Sequence, residues 1–549
     1  MIEKITFARR IFKSPLRCGK SILELTEFEG VAYWWNVNFL FHQHVLGLID
    51  GSCDFRLPSK AKRAIKYAYR RIFEPCLKFV YKLVGCRVEG NPSALPKGIF
   101  ICREDERATR DIETGKLVRS DFIFDALVTG INDRFNLQGV YFTDSLKFST
   151  NQSLYSAKKK NRRLSQKPVD IYWDRSVGKR YRSARKVFRK AWELLKNDPS
   201  LVALCSFEGV DYNQPIMEHL EFCFLELLPL AVRAEKLGEN IIKKEKADFV
   251  LVEYEYGPIR KSLGVIAPKK LGLPSIAIQH GNIYPTHPGY YYLKEETAFS
   301  GSSGTSGCLL PDITCLFGEK YRRILGEECG YPEEALIITG QPRYDIFYHT
   351  DRLFSKQSFR ERFGIPEGKR AVLWTTQSHG MSDEENIANL KAVAASFGEL
   401  ENTILIVKQH PNETDKYTQL IKSYLESTAI DLRVMPRDSD TFEQLYFCDI
   451  VISKFSTTAT EAVVMGKPLI ILNLGGAPDR VDYVDEGVAI GVYEQENLTP
   501  AIKQLFKDSS FLEENRQRYV SENLYKIDGK DSSRVGDAID VLLRIPSDK

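Results

Sequence analysis

Two successive series of short apolar runs, each followed by polar loop residues and a helical stretch, constrain this chain more than any other feature. The first series comprises GIFIC (98–102), GVYFT (139–143), LVALCSF (201–207), FVLVEY (249–254) and SIAIQ (275–279). The second comprises ALIITG (335–340), RAVLWTTQ (370–377), TILIVKQH (403–410), DLRVMP (431–436), DIVIS (449–453) and PLIILN (468–473). Short apolar runs alternating with helical patterns read as buried strands of a parallel sheet. Two such series predict an α/β protein of two Rossmann-like lobes facing a central cleft. A chain of 549 residues is too long for a single core, which agrees with that count.

Residues 1–90 read differently. ILELTEFEGVAYWWNVNFLFHQHVLGLI and KAKRAIKYAYRRIFEPCLKFVYKLVG carry apolar and aromatic residues at helical spacing, broken at Pro75. The expected organisation is a basic helical N-terminal region over 1–90, a first Rossmann-like lobe over 91–330 and a second over 331–530. A C-terminal helix then covers 531–549. The Gly/Ser stretch 299–307 reads as a surface loop.

A hydrophobic content of 43% with 27% charged residues excludes disordered and fibrous classes. No run of eighteen apolar residues and no signal-peptide pattern is visible, and the eleven cysteines form no C-x-x-C pair. The expectation is a cytoplasmic protein, peripheral on the inner face of the membrane, without a resident cofactor or metal. The net charge is +4, but the basic residues cluster. Lys60, Lys62, Arg63, Lys66, Arg70, Arg71, Lys78, Lys82 and Arg87 are opposed only by Glu74. A second block, 158–190, holds fourteen basic residues against Asp170 and Asp174. Residues 60–87 fit an anionic membrane surface, and 158–190 fit an anionic glycan or a lipid diphosphate. Conventionally packed, solvated helices are the competing account. Neither block accompanies a recognition motif for nucleic acid, which is not expected as a partner.

In parallel sheets ligands bind beyond the carboxyl ends of the strands, so polar residues there carry weight. In DIVISKFSTTATEAVVMGKPLIILN a strand leads into Ser456, Thr457 and Thr458 at a helix start, with Glu461 one turn further on. A hydroxyl-lined helix N-terminus receives an anion, and Glu461 accepts from a ribose diol. Ser456 acting only as a helix cap is the alternative. In ILIVKQHPNET, Lys408 and His410 project to one side of a strand end and suit a phosphate. In ITGQPRYDIF, Gln341 stands at a tight turn, and Arg343 either reaches a diphosphate or locks the turn with Asp345. Across the cleft, Glu253 and Glu255 end one strand and His280 ends the next; a strand-end histidine backed by a carboxylate suits general-base work. His287 is a weaker candidate, and Glu208 and Asp211 in SFEGVDY offer further carboxylates.

Together these motifs resemble the nucleotide-binding half of GT-B-fold glycosyltransferases that build surface and capsular polysaccharides, over roughly 95–530. The resemblance is most specific in LGLPSIAIQHG, ITGQPRYD, KQHPNE and SKFSTTATEAVVMGKPLI. His410-Pro411 and Ser456-Thr457 are similar to the His-Pro and Ser-Ser/Thr motifs of bacterial sialyl-, Kdo- and glycerophosphate transferases. The resemblance implies a GT-B-like fold and metal-independent transfer from a nucleotide-sugar donor to a glycan or lipid-linked acceptor. The resemblance implies that His410 and the Ser456-Thr457 hydroxyls hold the donor phosphate, with 91–330 as the acceptor lobe and 331–530 as the nucleotide-donor lobe. Lys408 and Thr458 are expected to join them, Gln341 and Arg343 to belong to the nucleotide site, Glu461 to hold the ribose, and His280, Glu255 or Asp211 to act as base. UDP-N-acetylglucosamine 2-epimerases resemble the chain in fold and motif order. Their H-x-E-A-G segment corresponds to Gln279-His280-Gly281-Asn282, which lacks the glutamate. An epimerase and a non-catalytic nucleotide-sugar-binding scaffold are the alternatives.

Overall fold

The apolar runs pair side by side into two parallel sheets, one in each of two compact units of the computed structural model. The structure describes residues 2–51, 58–59, 61–63, 65, 74–83, 94–103, 106–142, 163–284, 287–297, 307–378, 381–411, 413–426, 428 and 430–544. Most of the basic segment 60–87 and of the Gly/Ser stretch 299–307 lies outside the described residues. Unit 1 consists of Met1–Glu106, Ser120–Arg343 and Ser532–Lys549, and unit 2 of Arg107–Arg119 and Tyr344–Asp531.

In unit 1 the helices α1 (Ile2–Lys13), α2 (Trp34–Ile49) and α3 (Glu74–Leu83) precede the sheet. The strands are β1 (Lys97–Arg103), β2 (Asn136–Phe142), β3 (Gln166–Pro168), β4 (Phe249–Glu253), β5 (Ser275–Ile278), β6 (Ile313–Leu316) and β7 (Leu336–Ile338). Between β3 and β4 lie α4 (Arg175–Leu195) and α5 (Leu228–Glu245). The N-terminal helices are not a separate body, because their apolar sides are committed to this unit. Trp34 and Val37 are fully buried, Asn36 donates to Ser262 Oγ at 2.8 Å, and Arg9 pairs with the buried Glu296 at 3.0 Å.

One expected boundary and one expected strand change. ALIITG does form a strand, β7, but it pairs with β6 and closes the first sheet instead of opening the second, so the boundary at 330/331 moves to 343/344. LVALCSF is not a strand. Asp198 caps the amide of Ser200, Pro199 takes the first helical position, and Pro199–Leu204 is helical before a two-residue hairpin pairs Ser206–Phe207 with Val210–Asp211.

In unit 2 the strands are β8 (Arg370–Thr375), β9 (Thr403–Lys408), β10 (Asp431–Met435), β11 (Ile450–Ser453), β12 (Leu469–Leu472) and β13 (Ile490–Val492). The helices used below are α6 (Asp383–Gly398), α7 (Thr441–Phe447) and α8 (Thr457–Val464), and the last helix of the chain, α9 (Asp531–Arg544), returns almost wholly to unit 1. Apolar clusters cover both faces of the second sheet, with Val372, Ile452 and Ile470 on one and Leu373, Val451 and Ile471 on the other. Ile452 is fully buried, and its truncation to alanine would cost roughly 2–5 kcal/mol.

The strand order locates the sites. Unit 2 runs β10-β9-β8-β11-β12-β13, and unit 1 runs β7-β6-β5-β4-β1-β2-β3. Counted from each sheet's own first strand, both follow the doubly wound order of Rossmann-like sheets, whose direction of winding reverses beside the first strand. The reversal lies between β1 and β4 in unit 1 and between β8 and β11 in unit 2. The GT-B-like α/β class expected from the sequence is thus present in both units.

Candidate functional site

At the switch point of unit 1, β4 ends at Glu253 and is followed by Tyr254 and Glu255. Tyr254 adopts a left-handed backbone with φ of 51°, a conformation that costs free energy in a residue with a β-carbon and that turns the chain sharply after the strand. Glu253 and Glu255 are both buried, and Arg260 pairs with Glu253 at 3.1 Å while its guanidinium lies over the Tyr254 ring. His280 follows β5, the neighbouring strand, and its imidazole stacks on Tyr254.

Tyr290 joins these groups. Its hydroxyl lies 3.3 Å from Glu255 Oε2 and 3.5 Å from His280 Nδ1. If the hydroxyl donates to Glu255, it accepts from Nδ1–H, which leaves Nε2 of His280 as the basic nitrogen. Burial raises the Glu255 carboxyl to about 7, so it holds a proton well above the ordinary carboxylate range. Burial pushes His280 well below its ordinary value, with His287 and Arg260 adding to the effect, and the imidazole is neutral near pH 7. His287, lowered to about 4 by burial, packs against Tyr256 and Phe39 of α2, so the N-terminal helices build the rear of this site.

Gln341 and Arg343 belong to unit 1, at the end of its last strand, and not to unit 2. The Gln341 amide donates to the Gln279 carbonyl at 2.8 Å, and Gln279 Oε1 accepts from Phe317 N at 2.8 Å, which ties the ends of β5, β6 and β7 together. Arg343 lies over Phe122. Asp211 is exposed on the 206–211 hairpin, where it accepts from Asn213 N at 2.8 Å just before the next helix. It ends a strand of that two-residue hairpin and not a strand of either large sheet.

At the switch point of unit 2 the residues after β8 and β11 are stitched together. Gln377 Oε1 accepts from Phe455 N at 2.9 Å and Lys454 N at 3.3 Å, while Lys454 is ion-paired with Glu385 of α6. The buried Glu413 accepts from Thr376 Oγ1 and Ser378 N, both at 2.6 Å, and so fixes the loop after β8 against the one after β9. Ser456 caps α8, accepting from Thr458 N at 3.1 Å; Thr457 and Thr458 form the half-buried first turn. Gly466, at φ 64°, ends the helix in a conformation that strains any other residue. Glu461 is buried one turn into α8.

Lys408 at the end of β9 is also buried. Its ammonium donates to the Arg437 carbonyl at 2.7 Å and the Gln409 carbonyl at 2.8 Å, and burial lowers it to about 8. Two of its three protons thus serve the backbone. His410 is half-buried just beyond, and its carbonyl accepts from Glu413 N at 3.0 Å. The register sets Lys408 level with Thr375, and Trp374 level with Ile452, so the ends of β9 and β11 lie two strand spacings apart, about 10 Å. That span suits a nucleotide diphosphate lying across β8.

Gln377, Ser378, Glu413 and Tyr290 escape the sequence pattern, since their roles depend on partners far along the chain; the strand-end rule applied to β8 would have pointed to the first two. Asp438-Ser439-Asp440 has the spacing of a two-carboxylate metal motif. Asp440 is engaged by Arg110 at 2.8 Å and caps α7, however, and Asp438 pairs with Arg119 at 2.7 Å. Among the described residues no group of three or more acidic, histidine or cysteine side chains could hold a metal ion.

Several solved structures match the chain at low identity and with TM-scores below 0.5. MnaA of S. aureus with UDP is 16% identical at a TM-score of 0.49, with 83% of this chain and 99% of that one covered. The UDP-GlcNAc 2-epimerase of Neisseria meningitidis with UDP-GlcNAc is 14% identical at 0.49, covering 81% and 99%. The wall teichoic acid polymerase TagF is 12% identical at 0.47, covering 89% and 99%. These values do not discriminate among functions. A comparison with curated protein sequences gave no match. Residues 276–540, which contain His280, Lys408, His410 and the Ser456–Glu461 helix start, match the family CDP-Glycerol:Poly(glycerophosphate) glycerophosphotransferase.

Proposed function

We propose that this chain transfers a glycerophosphoryl or glycosyl group from a nucleotide-activated donor to a polymeric or lipid-linked acceptor, without a metal ion. The observation that carries the reading is that the family match spans both strand-end sites, His280 after β5 and the Ser456 turn after β11. With a donor of the CDP-glycerol type, the acceptor hydroxyl oxygen attacks the glycerol-bearing phosphorus, and the bond to the nucleotide phosphate breaks. Nε2 of His280 takes the hydroxyl proton, and the Tyr290–Glu255 chain holds the ring with Nδ1 protonated. The α8 N-terminus and His410 receive the charge that develops on the departing nucleotide. The buried Glu461 accepts from the ribose only if the nucleotide enters the first turns of α8; otherwise it is a structural carboxylate.

His280→Ala should abolish transfer while nucleotide binding persists. His410→Ala and Ser456→Ala should reduce the thermal shift given by the preferred nucleotide among CMP, CDP, UDP and GDP. Unchanged nucleotide affinity in both variants would sink the donor assignment. Turnover of donor without any acceptor would favour the epimerase alternative.

We also infer that α3 rests on an anionic membrane. Tyr81 packs into the unit 1 core, whereas Cys76, Phe79 and Leu83 form an exposed stripe at spacings of three and four; Phe79 is 71% and Leu83 76% exposed. The neighbouring sequence supplies the lysines and arginines of 60–87. No helix among the described residues is long and apolar enough to cross a membrane. Phe79→Glu with Leu83→Glu should remove co-sedimentation with phosphatidylglycerol vesicles at low salt, and full retention would refute the attachment.

A further inference from the structure

Of the second basic block, residues 158–162 lie outside the described residues, Arg163 and Lys167 pair with Asp125 and Glu245, and the rest falls on one helix. Along α4, Val177, Tyr181, Ala184, Phe188, Trp192 and Leu195 are buried against the unit 1 core. On the opposite side Arg175, Lys179, Arg182, Lys186, Arg189 and Lys190 are exposed at helical spacing, about one cation per turn over roughly 22 Å. None of these six makes an ion pair among the described residues, whereas Arg180, which points inward, is paired with Glu29 and Glu235. The one acidic residue on the same face, Glu193, is paired with Lys196 at 2.5 Å. Like charges three and four residues apart destabilise a helix. Salt screens such exposed charges in part, and a polyanion lying along the stripe would neutralise them together.

We propose that the outer face of α4 docks an extended phosphodiester chain. The cations recur every 5–6 Å or so along the helix, which matches a ligand with repeated charge and not one compact anion. Arginines alternating with lysines provide planar forks for phosphate oxygens as well as point charges. The side chains Arg182, Arg185, Lys186, Arg189, Lys190 and Glu193 line an open space of about 360 Å³ along this one helix, accessible to a ligand from solvent. A membrane surface fits less well, because no apolar residue stands within the stripe; the exposed Val187 and Leu194 lie to its side, in contrast with the apolar stripe of α3. The docked chain's role as acceptor rests on the transferase reading above, while docking itself does not.

The test uses the full chain, a fluorescently labelled glycerol-phosphate oligomer, long-chain inorganic polyphosphate and phosphatidylglycerol vesicles. R182Q/K186Q/R189Q should bind both polymers at least about tenfold more weakly at low salt. The slope of log affinity against log salt should fall by about 2, near 0.7 for each lost phosphate contact. R182E/K186E/R189E should bind more weakly still, and if the reversal impairs folding the neutral triple decides. Unchanged polymer affinity and slope in the neutral triple overturn the proposal, as does a loss confined to vesicles. Nucleotide thermal shifts should be the same in the triple variant as in the parent, whereas His410→Ala should lose them and keep polymer binding, so the two readings fail separately.

Discussion

Glu255 is the residue at which burial has the largest consequence for chemistry. Its carboxyl keeps its proton to about 7 in the folded chain against an ordinary 4.5. Between those values the folded state binds more protons than the unfolded one, so the stability tied to this group is fully present below pH 4.5 and is lost as pH rises through 7. The loss amounts to roughly 3 kcal/mol. Glu255→Gln keeps an acceptor for Tyr290 but cannot ionise. Melting temperatures of the variant should therefore fall less between pH 5 and 8 than those of the parent, and parallel curves would show that Glu255 ionises normally. Glu255 and His280 were legible as strand-end residues of a catalytic type, because apolar runs mark where strands stop. Tyr290 was not, since nothing in YPTHPGYYY tells which of its tyrosines returns to the β4–β5 edge.

At the scale of elements, strands buried on both faces announced themselves, and the sequence pattern located nearly all of those in the two large sheets. The elements it missed are stabilised by distant partners. The hairpin Arg107–Arg110/Leu117–Ser120 carries little apolar pattern, yet it belongs to unit 2 through Arg110, which pairs with Asp440 at 2.8 Å and Glu443 at 3.3 Å and lies over Phe354. Arg352 adds a bond to the Ile112 carbonyl at 2.7 Å. Burial raises the Asp440 carboxyl, and Arg110 is what opposes that rise most. Arg110→Ala would leave two largely buried carboxylates short of their shared cation, and the expected cost is about 3 kcal/mol. Urea titration should show the midpoint fall by the corresponding amount. A shift under about 0.5 kcal/mol, the size expected of an exposed pair, would mean that the hairpin rests on unit 2 without securing it.

For the whole molecule, the two units interlace along the chain, and no single cut separates them. A cut at 343 gives unit 2 without its hairpin and unit 1 without α9. The second loss is the graver, because Val535, Ala538 and Ile539 of α9 are buried in the same cluster as Phe100, Leu251 and Ile276 of the first sheet. Removing three buried apolar side chains forfeits about 1–3 kcal/mol each and bares the apolar patch that they cover. The sequence pattern showed α9 as an amphipathic helix but not the sheet that it serves, since amphipathicity reports a buried face and not its partner. A fragment of residues 1–343 should therefore aggregate or melt well below the full chain, while the same fragment joined by a flexible linker to 532–549 should be soluble with a cooperative transition. If the fragment without α9 melted as cooperatively and as high as the fused one, the helix would be an appendage and unit 1 would be complete without it.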